Sequence, residues 1–512
     1  MIRTLKSGKS GGLSGIRNEF LKLCPGIFIN ELTNLYNQII MIHKIPESWK
    51  KHRIKPIPKE GKEFRPISLI EKSRKLFEKL ILNKMHFKLI KQQAGFKKEH
   101  RTLNHALTLD NELRCSNGSL ICVSLDIRKA YDSVNRIKLY EKLAKLQKFP
   151  FRDTLLIATL IENNRYTIEK TKESSAFKNA CVGLPQGSIL SPSLFNVFID
   201  DLLEYMPANC RKKLLLYADD ILIFSNRIDE IHEMIANIER HAKDNSYLLN
   251  AKKCFYNTNI KIEIRVNNIE IVKQSPIKYL GYYFNLKCAD TKKNLKIART
   301  NALKATAILK SALRKNIFNN SGDIFRYMLR GYISYVRPHI DYPITLLGLN
   351  KTFTEDCDRI QKGIIKNLFG IYYKTPSRII YGIFPIETIK QRSRRLSLIN
   401  THKILNGKRT SLYTNFRNNN TKIFKTMKKT YLEHINEEMV QGTTIKFSNT
   451  ISELKKKNLQ KNLDIFKYFK NLKNFNWNTE TKERLGELLE VVNFENKKEK
   501  FEEILKIMND KR

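Results

Sequence analysis

Leu214-Leu215-Leu216-Tyr217-Ala218-Asp219-Asp220-Ile221-Leu222-Ile223-Phe224 is the stretch from which the rest of the chain can be read. Two apolar, strand-forming runs flank a short turn, a pattern that predicts a tight β-hairpin with carboxylates at its tip. Adjacent ionised carboxylates repel, and partial burial raises that cost. A divalent cation at the tip would remove the conflict, and an oxygen-rich site suits magnesium. A solvated turn is the competing reading, because Asp is a common turn residue. An aromatic-x-Asp-Asp string arises by chance in roughly one chain in ten of this length. A second carboxylate element has to decide.

That element is Leu120-Ile121-Cys122-Val123-Ser124-Leu125, a nearly unbroken apolar run that predicts a buried strand and ends on Asp126. A strand-end Asp converges with a hairpin-tip pair only if the two elements are neighbours in one sheet. The intervening order of strand, helices, loop, helix and hairpin is compatible with that. Three carboxylates on two strands would then hold two metal ions, which activate an attacking hydroxyl and stabilise an in-line displacement at phosphorus. Taken alone, Asp126 reads equally well as a strand terminator.

Composition narrows the partners. The chain has 512 residues, room for two to four domains, and its 41% hydrophobic and 10% aromatic content fits a folded protein. Lys and Arg number 94 against 50 Asp and Glu, a formal net charge of +44. Such a field matches a polyphosphate backbone, with an acidic membrane surface as the rival partner. No apolar run approaches the roughly 20 residues of a membrane span. Met1 to Gly12 is basic but lacks the apolar core of a secretory signal. The expected location is intracellular, nucleus or cytoplasm, with no membrane partner. The eight cysteines are scattered, with no C-x-x-C pair or zinc-spaced His, and read as reduced thiols.

Along the chain, residues 16–44 read as helical with a break at Pro25-Gly26, and Arg53 to Ile70 as a basic hairpin. An amphipathic helix is expected from Lys72 to Ile90, and mostly helix over 136–169. Val182 to Gly187 is a loop, and Ser191-Pro192 opens a helix, as N-cap and first residue, that runs to about Met206. A helix follows from Ile228 to about Tyr247, strands over 260–285, and helices beyond 290. Asp200-Asp201 are expected on a helix surface, away from any metal.

These stretches together resemble a known family. Ser124 to Val134, with Asp126 and Tyr131-Asp132, looks like the first catalytic motif of reverse transcriptases. Gly183-Leu184-Pro185-Gln186-Gly187-Ser188 resembles their substrate-binding motif, and Leu194 to Leu202 matches the continuation found in non-LTR (LINE-type) retrotransposons. Tyr217 to Asp220 takes the place of the second catalytic motif. Phe64-Arg65-Pro66-Ile67-Ser68-Leu69 and Lys278-Tyr279-Leu280-Gly281 match LINE-type blocks in the correct order. The resemblance covers residues 1–290 well, 291–400 loosely and 401–512 hardly at all. It implies an α+β, right-hand polymerase: fingers over 1–119, a palm with inserted finger helices over 120–290, an α-helical thumb-like region over 291–405, and a basic helical region over 406–512.

The resemblance also implies roles. Asp126, Asp219 and Asp220, with the backbone carbonyl of Ile127, would hold two magnesium ions, manganese being a possible substitute. Tyr131 falls where the family places an aromatic gate against the ribose 2′-hydroxyl. Gln186 and Gly187 would meet the incoming nucleotide or template, and Arg65 the triphosphate, with Lys59 or Lys62 as helpers. Lys253 matches the lysine that protonates pyrophosphate, with Lys252 as the neighbouring register. The expected partners are template RNA, a DNA primer and deoxynucleoside triphosphates. The resemblance begins almost at Met1, so target nicking is expected from a separate endonuclease. The expected function is RNA-directed DNA synthesis. An inactive, RNA-binding retroelement remnant and an intron-maturase-like enzyme are the alternatives.

Overall fold

The computed structural model describes residues 1–58, 63–98, 100–168, 175–314 and 321–406, with isolated positions at 425, 429, 452, 455 and 456. The chain divides into two compact units: Met1–His105 with Ser116–Ile277, and Ala106–Cys115 with the chain from Lys278 onward.

The strands of the first unit are, in chain order, β1 (Lys51–Pro58), β2 (Phe64–Leu69), β3 (Ile121–Asp126), β4 (Arg165–Ile168), β5 (Lys178–Asn179), β6 (Leu214–Tyr217), β7 (Asp220–Ser225), β8 (Phe255–Asn257), β9 (Arg265–Val266), β10 (Ile269–Glu270) and β11 (Val272–Lys273). Its principal sheet has the order β11-β8-β3-β7-β6, so the run that ends on Asp126 lies at the centre. Ile121, Cys122 and Val123 are fully buried, which explains why this strand shows no polar alternation. β3 pairs antiparallel with β7 from Ile121 opposite Ser225 to Asp126 opposite Asp220. β6 and β7 form the predicted hairpin, closed by the Tyr217–Asp220 pair.

Helices cover this sheet through apolar stripes. On Ile228–Asp244 the buried Ile231, Met234, Ile235, Ile238 and Ala242 recur at helical spacing and form one face. Leu194, Phe195 and Phe198 do the same on Ser191–Phe198. Each of the Ile, Leu, Met and Phe side chains, fully buried, stabilises the fold by about 1.5–3 kcal/mol.

A second sheet, β2-β1-β4-β5, carries the predicted basic hairpin β1–β2. Pro56 stands opposite Pro66, in the part of β1 beyond its four-residue pairing with β4. Prolines there cost no ladder bond to a third strand.

Several boundaries differ from the sequence reading. The helix that begins at Lys72 stops at Lys84 rather than Ile90. Beyond it, the Lys88 N–H donates to Gln147 Oε1 and the Ile90 N–H to Asp200 Oδ1. Tertiary acceptors thus take donors that further helix would have used. Arg165–Ile168, expected to be helical, adds instead to the edge of β1. The helix at Ser191 ends at Phe198, and a separate turn of helix spans Leu202–Tyr205. Ser191 is its first residue rather than its N-cap, and its hydroxyl donates to the Pro185 carbonyl at 2.9 Å.

The second unit is helical after the β12 (Ile277–Tyr279) and β13 (Tyr282–Phe284) hairpin at its boundary. Helices Thr291–Arg314, Ser321–Gly331, Pro338–Leu347, Lys351–Phe369, Ser377–Ile383 and Ile389–Asn406 follow. Tyr332, Val336, Ile340, Ile364 and Phe384 lie in its core. Glu387, almost fully buried, receives two bonds from Arg395. The α+β expectation holds. Among the described residues no helix is long and apolar enough to cross a membrane, and the eight cysteines are free. The basic region expected over 406–512 falls almost wholly outside the described residues.

Candidate active site

Register brings the carboxylates together. Asp126 ends β3, Asp220 begins β7, and the two face one another across the ladder. Like charges in directly opposed positions destabilise an antiparallel pair. Asp219 precedes Asp220 in the turn, so a third carboxylate joins the same end of the sheet. Asp126 and Asp219 are half-buried and Asp220 is exposed.

The hairpin turn is braced from outside. Ala218 is left-handed, with φ 56°, a conformation that costs a non-glycine residue about 1–2 kcal/mol. Its N–H donates to Gln93 Oε1 at 2.8 Å, and that oxygen also accepts the Gly95 N–H at 2.8 Å. The chain at Gln92–Ala94 pairs with the outer edge of β6, exchanging bonds with Leu216. A side chain on Gly95 would run into the Ala218 amide. Asn196 Nδ2 fixes the Gly95 carbonyl at 2.7 Å.

Asp126 is braced from the other side. The Asn250 N–H donates to its carbonyl at 2.8 Å, and Asn250 Nδ2 to its Oδ2 at 3.2 Å. Behind it lies Cys254, whose Sγ is 3.4 Å from the Asp126 amide and whose thiol burial pushes up to about 11. Ile127 follows, buried and bridged to Leu249. Gln93 and Asn250 were not singled out by the sequence as functional. The signals available were the Gln93-Ala94-Gly95-Phe96 string and the position of Asn250 just ahead of Lys253.

Tyr131 stacks on Phe195, with ring centroids 5.4 Å apart and planes 22° from parallel. Burial, and then the negative charge of Asp219, hold its hydroxyl well above the ordinary range. The Leu184 N–H donates to the Tyr131 carbonyl at 2.8 Å, joining the ring's backbone to the Gly183–Ser188 loop. In that loop the Gln186 carbonyl accepts the Ser68 N–H at 2.7 Å. Gln186 Nε2 donates to Asp132 Oδ1 at 3.3 Å, which fits a supporting role for Asp132. Gly187 has φ 136°, and a β-carbon there would collide with the Ser68 carbonyl oxygen. The loop therefore lies against β2.

Arg65 is exposed on that same strand, opposite Ile57. Lys253 is exposed too, with Nζ 3.4 Å from Glu63 Oε2. Lys59 and Lys62 lie outside the described residues. Asp200 and Asp201 are not on a surface. Asp200 is 8% exposed, and burial pushes its carboxyl up to about 6. Asp201 accepts from Lys142 at 2.7 Å and from His241 at 2.8 Å. Both are structural, as charged groups inside a fold must be partnered.

Among the described residues, no three His, Cys, Asp or Glu side chains are gathered as closely as a metal ion requires. The donor chemistry nonetheless fits a hard divalent cation: three carboxylates at one end of one sheet, two of them directly opposed.

Residues 57–284 match the family model described as reverse transcriptase (RNA-dependent DNA polymerase). The chain is 33% identical over 246 residues to a probable RNA-directed DNA polymerase from transposon BS of Drosophila melanogaster, covering 44% of this chain and 27% of that one. It is 26% identical over 279 residues to the RNA-directed DNA polymerase from mobile element jockey of the same species, covering 50% and 30%. It is 23% identical over 395 residues to the Pol polyprotein from type-1 retrotransposable element R2 of Popillia japonica, covering 68% and 52%. The chain thus spans between 27% and 52% of the length of these three relatives. Among solved structures, apo telomerase from Candida tropicalis aligns with 78% of this chain and 74% of its own, at 14% identity and a TM-score of 0.41, too loosely to bear on function. Residues 57–284 thus match the reverse transcriptase family model, and the chain is similar over that stretch to the RNA-directed DNA polymerases of non-LTR retrotransposons.

Proposed function

We propose that the chain is the RNA-directed DNA polymerase of a LINE-type retrotransposon, adding deoxynucleoside triphosphates to a primer 3′-hydroxyl along an RNA template. One observation carries the reading: Asp126 stands across from Asp220, with Asp219 beside it, inside residues that match a reverse transcriptase. Asp126, Asp219, Asp220 and the Ile127 carbonyl would hold two magnesium ions, for which manganese can substitute. When bound, such ions neutralise the charge that develops at the α-phosphate and on the leaving pyrophosphate.

The chain's own residues bind and orient. Arg65 reaches from the exposed side of β2 toward the triphosphate, where a guanidinium pairs well with phosphate oxygens. Gln186 lines the nucleotide pocket, and Gly187 lets the backbone come close to it. Tyr131, backed by Phe195, excludes a ribose 2′-oxygen by contact. Lys253 supplies the proton to the departing pyrophosphate. Residues 1–119 act as fingers, 120–290 as the palm and 291–405 as a thumb, and the positive charge follows the template–primer backbone.

Primer extension on poly(rA)/oligo(dT) with magnesium tests the reading. The parent extends, and Asp219→Ala loses nearly all activity. RNA binding by both, with synthesis by neither, would identify a remnant that only grips RNA.

A further inference from the structure

We infer that the buried Arg74–Glu78 pair is a latch that holds the Gln186–Gly187 loop in its nucleotide-binding shape, an inference that rests on the polymerase reading. The two residues lie one turn apart on the helix Lys72–Lys84, with Arg74 1% and Glu78 0% exposed. A buried ion pair is weak evidence for stability, since well-packed apolar residues often serve as well. What it holds is therefore the informative question.

Arg74 anchors the pair. Its Nε donates to Glu78 Oε1 at 2.9 Å, Nη1 to the Trp49 carbonyl at 2.6 Å and Asn164 Oδ1 at 2.9 Å, and Nη2 to the Leu160 carbonyl at 2.5 Å. The second carboxylate oxygen of Glu78 points away from this anchor, to the loop. It accepts the Ser188 hydroxyl at 2.8 Å and the Ile189 N–H at 2.8 Å. Ser188 Oγ in turn accepts the Leu190 N–H at 3.1 Å. Bonds to an ionised acceptor are the strong ones.

The loop therefore docks at two points on one continuous stretch of chain. Ser68 on β2 holds the Gln186 carbonyl at 2.7 Å, and Glu78 holds Ser188 and Ile189. Gln186 is one of those points, and Gly187 lies between them. Arg65 belongs to the same stretch, three residues before Ser68. Glu78 thus fixes the loop relative to the strand that presents the proposed triphosphate ligand, touching no substrate itself. It is a positioning residue.

Glu78→Gln strips the countercharge from a buried guanidinium and risks misfolding. Ser188→Ala is the sharper variant, because it removes the hydroxyl's bond to Glu78, together with the one it accepts from the Leu190 N–H, and leaves the ion pair intact. Two readouts are taken on the full chain: hydrogen exchange of the segment 183–190, and steady-state dTTP incorporation on poly(rA)/oligo(dT) with magnesium. In Ser188→Ala the segment exchanges at least about 10-fold faster, and the dTTP KM rises at least about 10-fold with kcat within about 2-fold, a size in keeping with one lost charge-assisted bond. Ser188→Thr, which keeps the hydroxyl, restores both. Unchanged exchange, or a loss confined to kcat or to thermal stability, overturns the latch. A parent that fails to extend overturns the polymerase reading instead, and exchange in Ser188→Ala then decides the latch alone.

Discussion

Replacing Gln93 by Leu removes the brace of the hairpin turn while nearly preserving volume. Gln93 is 1% exposed, and its Oε1 is the acceptor for both the Ala218 and the Gly95 N–H groups, each at 2.8 Å. Leaving two buried donors without an acceptor costs about 1–3 kcal/mol each. Against that, the buried Gln93 Nε2 has no hydrogen-bond partner among the described residues, so removing it returns about 1 kcal/mol. The expected net loss is about 1–5 kcal/mol, several degrees in melting temperature for a unit of this size. Ala218 is also held in a left-handed conformation, and without its acceptor the turn relaxes and takes Asp219 with it. Misplacement of a reacting group by about 1 Å costs on the order of 100-fold in rate, so at least a 10-fold loss of primer extension is expected below the melting transition. Thermal denaturation and extension assays read the two effects separately. A Gln93→Leu chain that melts with the parent and extends at the parental rate would refute the reasoning.

Three further outcomes follow from the same geometry. Gly187→Ala places a β-carbon against the Ser68 carbonyl oxygen at φ 136°, so β2 or the loop must shift; strain of about 1–3 kcal/mol and at least a 10-fold fall in dTTP incorporation efficiency are expected, against no change if the close approach is incidental. Tyr131→Ala removes the ring stacked on Phe195 and should raise ribonucleotide incorporation relative to deoxynucleotide; an unchanged ratio removes the gate. Asp200 has a folded pKa of about 6, above its ordinary 3.8, so its contribution to stability is fully present below pH 3.8 and is lost as pH rises through 6. Asp200→Asn keeps an acceptor for the Ile90 N–H and should stabilise the fold on the order of 1–3 kcal/mol at pH 7.5 but not at pH 4, which melts at the two pH values will decide.

The parts of this molecule legible in its sequence are those written in short-range pattern. The β6–β7 hairpin and the central strand β3 follow from apolar runs around a turn, and their adjacency from the need to bring Asp126 to Asp219 and Asp220. What the pattern hides is where polar groups find distant partners. Residues 85–90 continue the helical periodicity, yet Gln147 and Asp200 capture their N–H groups from far along the chain. Asp200 and Asp201 have the look of a solvated helix face, but Lys142 and His241 accompany Asp201 into the interior. Arg165–Ile168 is β-branched enough to have been read as a strand, and only the exposed edge of β1 decides it. At the site, the acids and the loop were visible as motifs. Their supports, Gln93, Asn250 and Glu78, were not, because each acts through a single long-range hydrogen bond or two.

The most direct measurement is the initial rate of magnesium-dependent dTTP incorporation on poly(rA)/oligo(dT) by the parent, Asp126→Asn, Asp219→Asn and the double variant. Carboxylates acting as one unit give strongly non-additive losses. Each single variant is therefore expected to fall by at least about 1000-fold and the double variant little further, with all three variants melting no lower than the parent and binding RNA as it does. Incorporation by either single variant within about 10-fold of the parent would contradict a shared metal site at the ends of β3 and β7.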